Sequence, residues 1–84
     1  MVTIDEFVEL VANNAKSKQW LNCTVAVKHP EQAEPKQIGI KAFGLWVQRI
    51  ECNGLVDSVS EQKTKKQFKL MLTATIQAMF ARGI

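Results

Sequence analysis

The stretch SEQKTKKQFKLMLTATIQAMFARG, residues 60–83, decides how this chain is read. Its first part is polar and basic, and its second part is a long apolar run. Met71, Thr75, Phe68, Met79, Leu72, Ile76 and Phe80 fall on about half of a helix surface, the width expected of a helix lying across a sheet. Leu70 falls on the far side and reads as a lone exposed leucine. Thr64 with Gln67 has the spacing of a capping box, and Gly83 after Arg82 is a helix stop. The spacing predicts a helix from Thr64 to Arg82. Lys63, Lys65, Lys66 and Lys69 crowd the start of this helix, where cations oppose the helix dipole by about 0.3–1 kcal/mol each. Lys65 and Lys69 also repel at i,i+4.

The other helix sets the contrast. Ile4, Phe7, Val8, Val11, Ala12 and Ala15 recur at helical spacing, predicting a helix over 3–16. Thr3 and Glu6 form a capping box, and Val2 and Phe7 occupy the positions of a hydrophobic staple. Asp5 and Glu6 sit at the positive end of the dipole, with Lys16 and Lys18 near its negative end. Every local choice in this helix serves folding. The C-terminal helix breaks the same preference with lysines, which makes Lys63, Lys65, Lys66 and Lys69 the candidate anion- or nucleic-acid-binding residues.

Between the helices lie strands. Leu21, Cys23, Val25 and Val27 alternate with polar residues over Trp20 to Lys28. His29 to Lys36 contains two prolines and alternating charges, and reads as a surface loop. Loops of this length often carry contacts, so His29 and Lys36 mark a candidate interaction loop, with a flexible tip as the alternative. Gln37 to Cys52 is a second β region. A tight turn at Ala42-Phe43-Gly44, with Gly44 left-handed, would put Ile38, Ile40, Trp46 and Ile50 on one face. One long strand with a bulge at Gly44 is the alternative. Asn53-Gly54 is the preferred pair for a type I′ hairpin, so Leu55 to Val59 should return along the preceding strand, with Cys52, Leu55 and Val59 on the apolar face. Leu45, Val47, Arg49, Glu51, Val56 and Ser58 would form the opposite face, a mixed surface open to solvent, a partner or a second copy. The expected fold is α+β: an N-terminal helix, a three- to four-stranded antiparallel meander and a C-terminal helix, with both helices on one face of the sheet.

Eighty-four residues suit one domain, residues 1–84, burying roughly 60–65% of its unfolded surface. Net charge is +3. Residues 1–40 carry four Lys and five acids, whereas residues 41–84 carry seven Lys or Arg and three acids. The basic excess therefore belongs to the C-terminal half. Cys23 and Cys52 form no C-x-x-C pair and read as reduced core cysteines of a cytoplasmic protein. Asn22-Cys23-Thr24 fits the glycosylation pattern, but the acidic start is no signal peptide. No apolar run approaches the ~18 residues of a membrane span.

Catalysis has no footing in the sequence. His29 stands in a loop with no acid or nucleophile pattern beside it. No His/Cys/Asp spacing suggests a metal and no Gly-rich loop suggests a nucleotide. The expectation is a non-catalytic module with no cofactor.

The order helix, antiparallel strands, helix, together with Lys65-Lys66-Gln67-Phe68-Lys69 after a hairpin at Asn53-Gly54, resembles the double-stranded-RNA-binding domain. That family opens its second helix with Lys-Lys-x-x-Lys. The resemblance implies phosphate contacts from Lys65, Lys66 and Lys69, and a role for Glu6 or Glu9 of the first helix at the minor groove. The chain departs from the family where its Gly-Pro-x-His loop would lie (His29-Pro30 lacks the glycine) and where glycines would precede the lysines, at Ser58-Val59-Ser60-Glu61. A second expectation comes by analogy of size and general character. Small stand-alone α/β chains are common among phage and mobile-element accessory proteins, including inhibitors that bind a specific protein. Duplex nucleic acid, a protein partner and a second copy of the chain are thus the partners to weigh.

Overall fold

The computed structural model describes residues 1–58 and 61–83, with the backbone alone at Asp57 and Ser58. The elements are β1 (Val2–Thr3), α1 (Ile4–Asn14), β2 (Trp20–Lys28), β3 (Lys36–Phe43), β4 (Arg49–Cys52), β5 (Leu55–Ser58) and α2 (Lys65–Arg82). The sheet order is β1-β2-β3-β4-β5. The fold is α+β as expected, with a four-stranded antiparallel meander from β2 to β5. Strand β1 is an addition: it pairs parallel with β2 through Val2↔Val27 and Thr3↔Lys28. Two residues carry no periodicity, so the sequence shows them as a staple and a cap, not as a strand.

Both helix starts follow their capping residues. Thr3 Oγ1 accepts from the Glu6 N–H at 3.1 Å, and Glu6 Oε1 accepts from the Thr3 N–H at 3.0 Å. The Glu6 carboxyl is held below its ordinary value, first by the backbone N–H of Thr3 and then by its side chain. In α2, Thr64 Oγ1 accepts from the Gln67 N–H at 3.2 Å and Gln67 Oε1 from the Thr64 N–H at 3.0 Å. Gly83, at φ 69°, ends α2 in the left-handed conformation, its N–H turned to the carbonyls of Met79 and Phe80. Helix α1 stops at Asn14, two residues before the expected end. Its last turn holds no basic residue; the Asn14 side chain instead donates to the Leu10 carbonyl at 2.7 Å.

The turn after β3 corrects the expected register. Ala42 and Phe43 are strand residues paired with Ile50 and Arg49, and the connection is Gly44–Gln48. Gly44 has φ 96° and opens a turn, not a bulge. The connection is wide because it feeds side chains inward. Val47, expected on the mixed outer face, is fully buried. Trp46 packs against the core from this turn, and its Nε1–H donates to the Ala12 carbonyl at 3.0 Å. Leu45 also belongs to the turn, not to a strand face.

At Asn53-Gly54 the hairpin is as expected, with φ 49° and 83°. Asn53 does more than turn the chain. Its N–H donates to the Gly39 carbonyl at 2.8 Å, its Oδ1 accepts from the Gly39 N–H at 2.7 Å, and its Nδ2 donates to the Gln37 carbonyl at 3.2 Å. Leu55, expected on the apolar face, is 62% exposed. It lies on the outermost strand, paired with Cys52, and among the described residues of the sheet the buried cluster reaches no further than β4. Val59 lies outside the described residues.

One buried cluster joins Phe7, Val8 and Val11 of α1, Val27, Ile38, Ile40, Ala42, Ile50 and Cys52 of the strands, and Phe68, Leu72, Ile76, Met79 and Phe80 of α2. Each large side chain fully buried here contributes about 1.5–3 kcal/mol. Cys23 lies half-buried on the same side of the sheet, where burial pushes its thiol pKa up. Among the described residues, no helix is long and apolar enough to cross a membrane.

Candidate nucleic-acid interface

The lysines at the start of α2 do not share one environment. Lys69 forms an ion pair with Glu9 of α1. That hydrogen bond is the main reason the Glu9 carboxyl is held below its ordinary value, with the charges of Lys69 and Lys65 adding to it. Lys65, Lys66 and Lys69 line an open groove with Leu70 and Thr73 of α2 and with Asp5 of α1. Among the described residues, Lys63, Lys65 and Lys66 have no salt bridge. Lys66 is exposed, and Lys63 and Lys65 are half-exposed.

Residues 62 and 63, just before α2, are bonded to the Gly44–Gln48 turn. The Lys63 N–H donates to the Trp46 carbonyl at 2.6 Å, and Gln62 Nε2 donates to the Leu45 carbonyl at 2.7 Å. These bonds bring the basic start of α2 to one end of the sheet.

The expected interaction loop faces α2. The His29 ring packs on Phe80 at 5.2 Å between centroids, and the Lys36 ammonium lies 5.8 Å from the Phe80 ring. Gln32 Nε2 donates to the Phe80 carbonyl at 3.2 Å. Within the loop, His29 Nδ1 accepts from the Glu31 N–H at 3.0 Å. Lys28 Nζ donates to the carbonyls of His29 and Gln32. His29 and Lys36 thus engage the C-terminal end of α2, far along the helix from the lysines. Glu6 is occupied by its cap and Glu9 by Lys69.

The mixed outer sheet face expected from the sequence carries Arg49, Glu51 and Val56 as expected, but sequence reading missed the residues of β2 and β3 that join them. The outer sheet face carries Trp20, Asn22 and Thr24 from β2, Lys41 and Phe43 from β3, Arg49 and Glu51 from β4, and Val56 from β5. Trp20 is 49% exposed. It meets Phe43 at 5.2 Å between ring centroids with the planes 53° apart, and the Lys41 ammonium stands 5.2 Å from its ring centre. The signal was present: if Leu21 and Cys23 point to the core, Trp20 must point away. Among the described residues, no group of three or more metal-ligating side chains stands together.

No family model, no curated protein and no solved structure matches the chain. The site is therefore read from its own chemistry.

Proposed function

We propose that this chain is a small non-catalytic module that binds nucleic acid, gripping the phosphate backbone of a duplex through Lys63, Lys65 and Lys66 at the start of α2. One observation carries the reading. The capping box of Thr64 and Gln67 caps the helix start without the lysine side chains, and Lys65 and Lys66 have no acidic partner within salt-bridge distance among the described residues. Folding gains only the longer-range attraction of Lys65 to Glu9 from these two cations, whereas a phosphate would gain from both. Lys69 supports them from its pairing with Glu9. The likeness to the double-stranded-RNA-binding domain belongs to the same proposal, as does a cytoplasmic setting.

Fluorescence anisotropy with duplex RNA and duplex DNA at two salt concentrations tests it. Binding should weaken steeply with salt, because bound lysines release counterions. Lys65→Glu/Lys66→Glu should remove most of it. Unchanged binding in the double variant, or none by the parent at low salt, refutes the reading.

A second reading, an accessory or inhibitor protein that binds a protein partner or a second copy, is favoured by β5. Leu55 and Val56 are 62% and 47% exposed on the outermost strand, and such an edge is open to pairing. Light scattering that shows a monomer at high concentration removes the homodimer, and a pull-down from the native host tests for a partner.

A further inference from the structure

We propose that the outer face of the sheet binds single-stranded nucleic acid, with Trp20 and Phe43 receiving unpaired bases and Lys41 and Arg49 receiving phosphates. The inference rests on the nucleic-acid reading above for its class of ligand, but it stands on different residues and a different strand state.

Register builds the surface. Trp20, Phe43 and Arg49 form one cross-strand row through Trp20↔Phe43 and Phe43↔Arg49. The next row on the same face is Asn22, Lys41, Glu51 and Val56. Two aromatic rings and two cations thus occupy adjacent positions, with Glu51 as the acid of that patch. Trp20, Lys41 and Arg49 are exposed and Phe43 is half-buried. An aromatic platform edged by cations is how proteins hold single strands without reading sequence: bases stack on the rings while ammonium and guanidinium groups track the backbone. Lys41 now rests against the Trp20 ring. An exposed cation–π contact of this kind is weaker than a base stacked on indole, so an incoming base takes the ring and the ammonium turns to phosphate.

Position argues the same way. The Gly44 N–H donates to the Gln19 carbonyl at 3.1 Å, and the Lys63 N–H reaches the same turn at Trp46. The aromatic row therefore ends beside the residues that lead into Lys65 and Lys66.

A cross-strand aromatic pair also stabilises a hairpin in its own right, so the test must read affinity apart from stability. Labelled single strands of uridine and of thymidine, about 12 nucleotides long, are titrated against a blunt duplex. Separate RNA and DNA arms show which sugar is preferred. The parent should bind single strands more tightly than the duplex, with quenching of tryptophan emission. Trp20→Ala, shown folded by circular dichroism, should weaken single-strand binding roughly 5- to 100-fold and leave duplex binding unchanged. Parent-like single-strand affinity in that variant overturns the proposal. So does a concentration-dependent dimer that Trp20→Ala abolishes, which would make the face a self-interface. If Trp20→Ala does not fold, Lys41→Gln/Arg49→Gln decides: the single-strand salt slope should fall by about 1.4 if both contact phosphate, and an unchanged slope overturns the proposal. Lys65→Glu/Lys66→Glu keeps the two readings apart. Loss of duplex binding without Trp20 dependence sinks the sheet face alone. Trp20-dependent single-strand binding, with duplex binding that ignores the lysine change, sinks the helix reading alone.

Discussion

Glu9 and Lys69, one on each helix, form the ion pair that ties α1 to α2. The pair gives the protein a specific acid sensitivity. Glu9 is held below the ordinary glutamate value of about 4.3. A lowered carboxyl stabilises the fold at pH above its unfolded value and loses that contribution as pH falls through its folded value. Melting temperatures of the parent and Glu9→Gln should therefore differ near neutral pH and converge as pH falls below the ordinary glutamate range. A difference that persists undiminished in acid would mean that the pair contributes nothing through charge.

Lys66→Glu should move stability and binding in opposite directions. An acid in the first turn favours the helix dipole, raising stability by about 0.3–1 kcal/mol. The same change should weaken duplex binding and lower its salt slope. Denaturant unfolding and anisotropy on one preparation read both. A variant that loses stability along with binding would show that Lys66 serves the fold.

Asn53 and Gly54 separate two contributions to one hairpin. Gly54→Ala meets no neighbour, since nothing lies within 4 Å of an added Cβ, but the residue keeps φ 83°. The cost should be about 1–2 kcal/mol of pure backbone strain. Asn53→Gly keeps the turn and deletes the side-chain bonds to Gly39 and Gln37. Losing them should cost about 1–3 kcal/mol. Urea unfolding distinguishes the two, and a neutral Asn53→Gly would show that the turn alone sets the hairpin.

Phe80→Leu should loosen the His29–Lys36 loop before it loosens the core. The ring that His29 and Lys36 pack against is removed, while a leucine still fills part of the cavity at a cost of about 1–2 kcal/mol. Amide exchange at Glu31 and Gln32 should accelerate more than at Ile38 and Ile40. Uniform acceleration would mean that the loop is held by its own bonds.

These outcomes depend on features that differ in how far sequence reveals them. Thr3, Glu6, Thr64, Gln67 and Gly83 act through neighbours in the chain, and both caps and the helix stop were legible as spacing. Alternation placed β2 residue for residue, and Asn53-Gly54 placed its hairpin. The Gly44–Gln48 turn escapes such reading because Trp46 and Val47 answer to α1 and the core, not to strand period. Glu9 and Lys69 lie 60 residues apart, so neither announces the other. In the candidate site, the crowding of Lys63, Lys65, Lys66 and Lys69 at the helix start was legible from local electrostatics, whereas the pairing of Lys69 with Glu9 was not. The Trp20–Phe43–Arg49 row needed the register of three strands.

The Gly44–Gln48 turn also has a kinetic meaning. Its bonds run to Gln19, to Ala12, and forward to Gln62 and Lys63. No short segment can form such a junction, because the chain ends of α1, β2 and the approach to α2 must all have arrived. It should close late, after the central hairpin has formed. Trp46→Phe deletes the indole bond to Ala12, worth about 1 kcal/mol, and should speed unfolding while leaving the refolding rate nearly unchanged. A slowed refolding limb would put this junction in the nucleus instead. On this view the turn acts as the latch of the native state, setting how long the molecule stays folded rather than how fast it gets there.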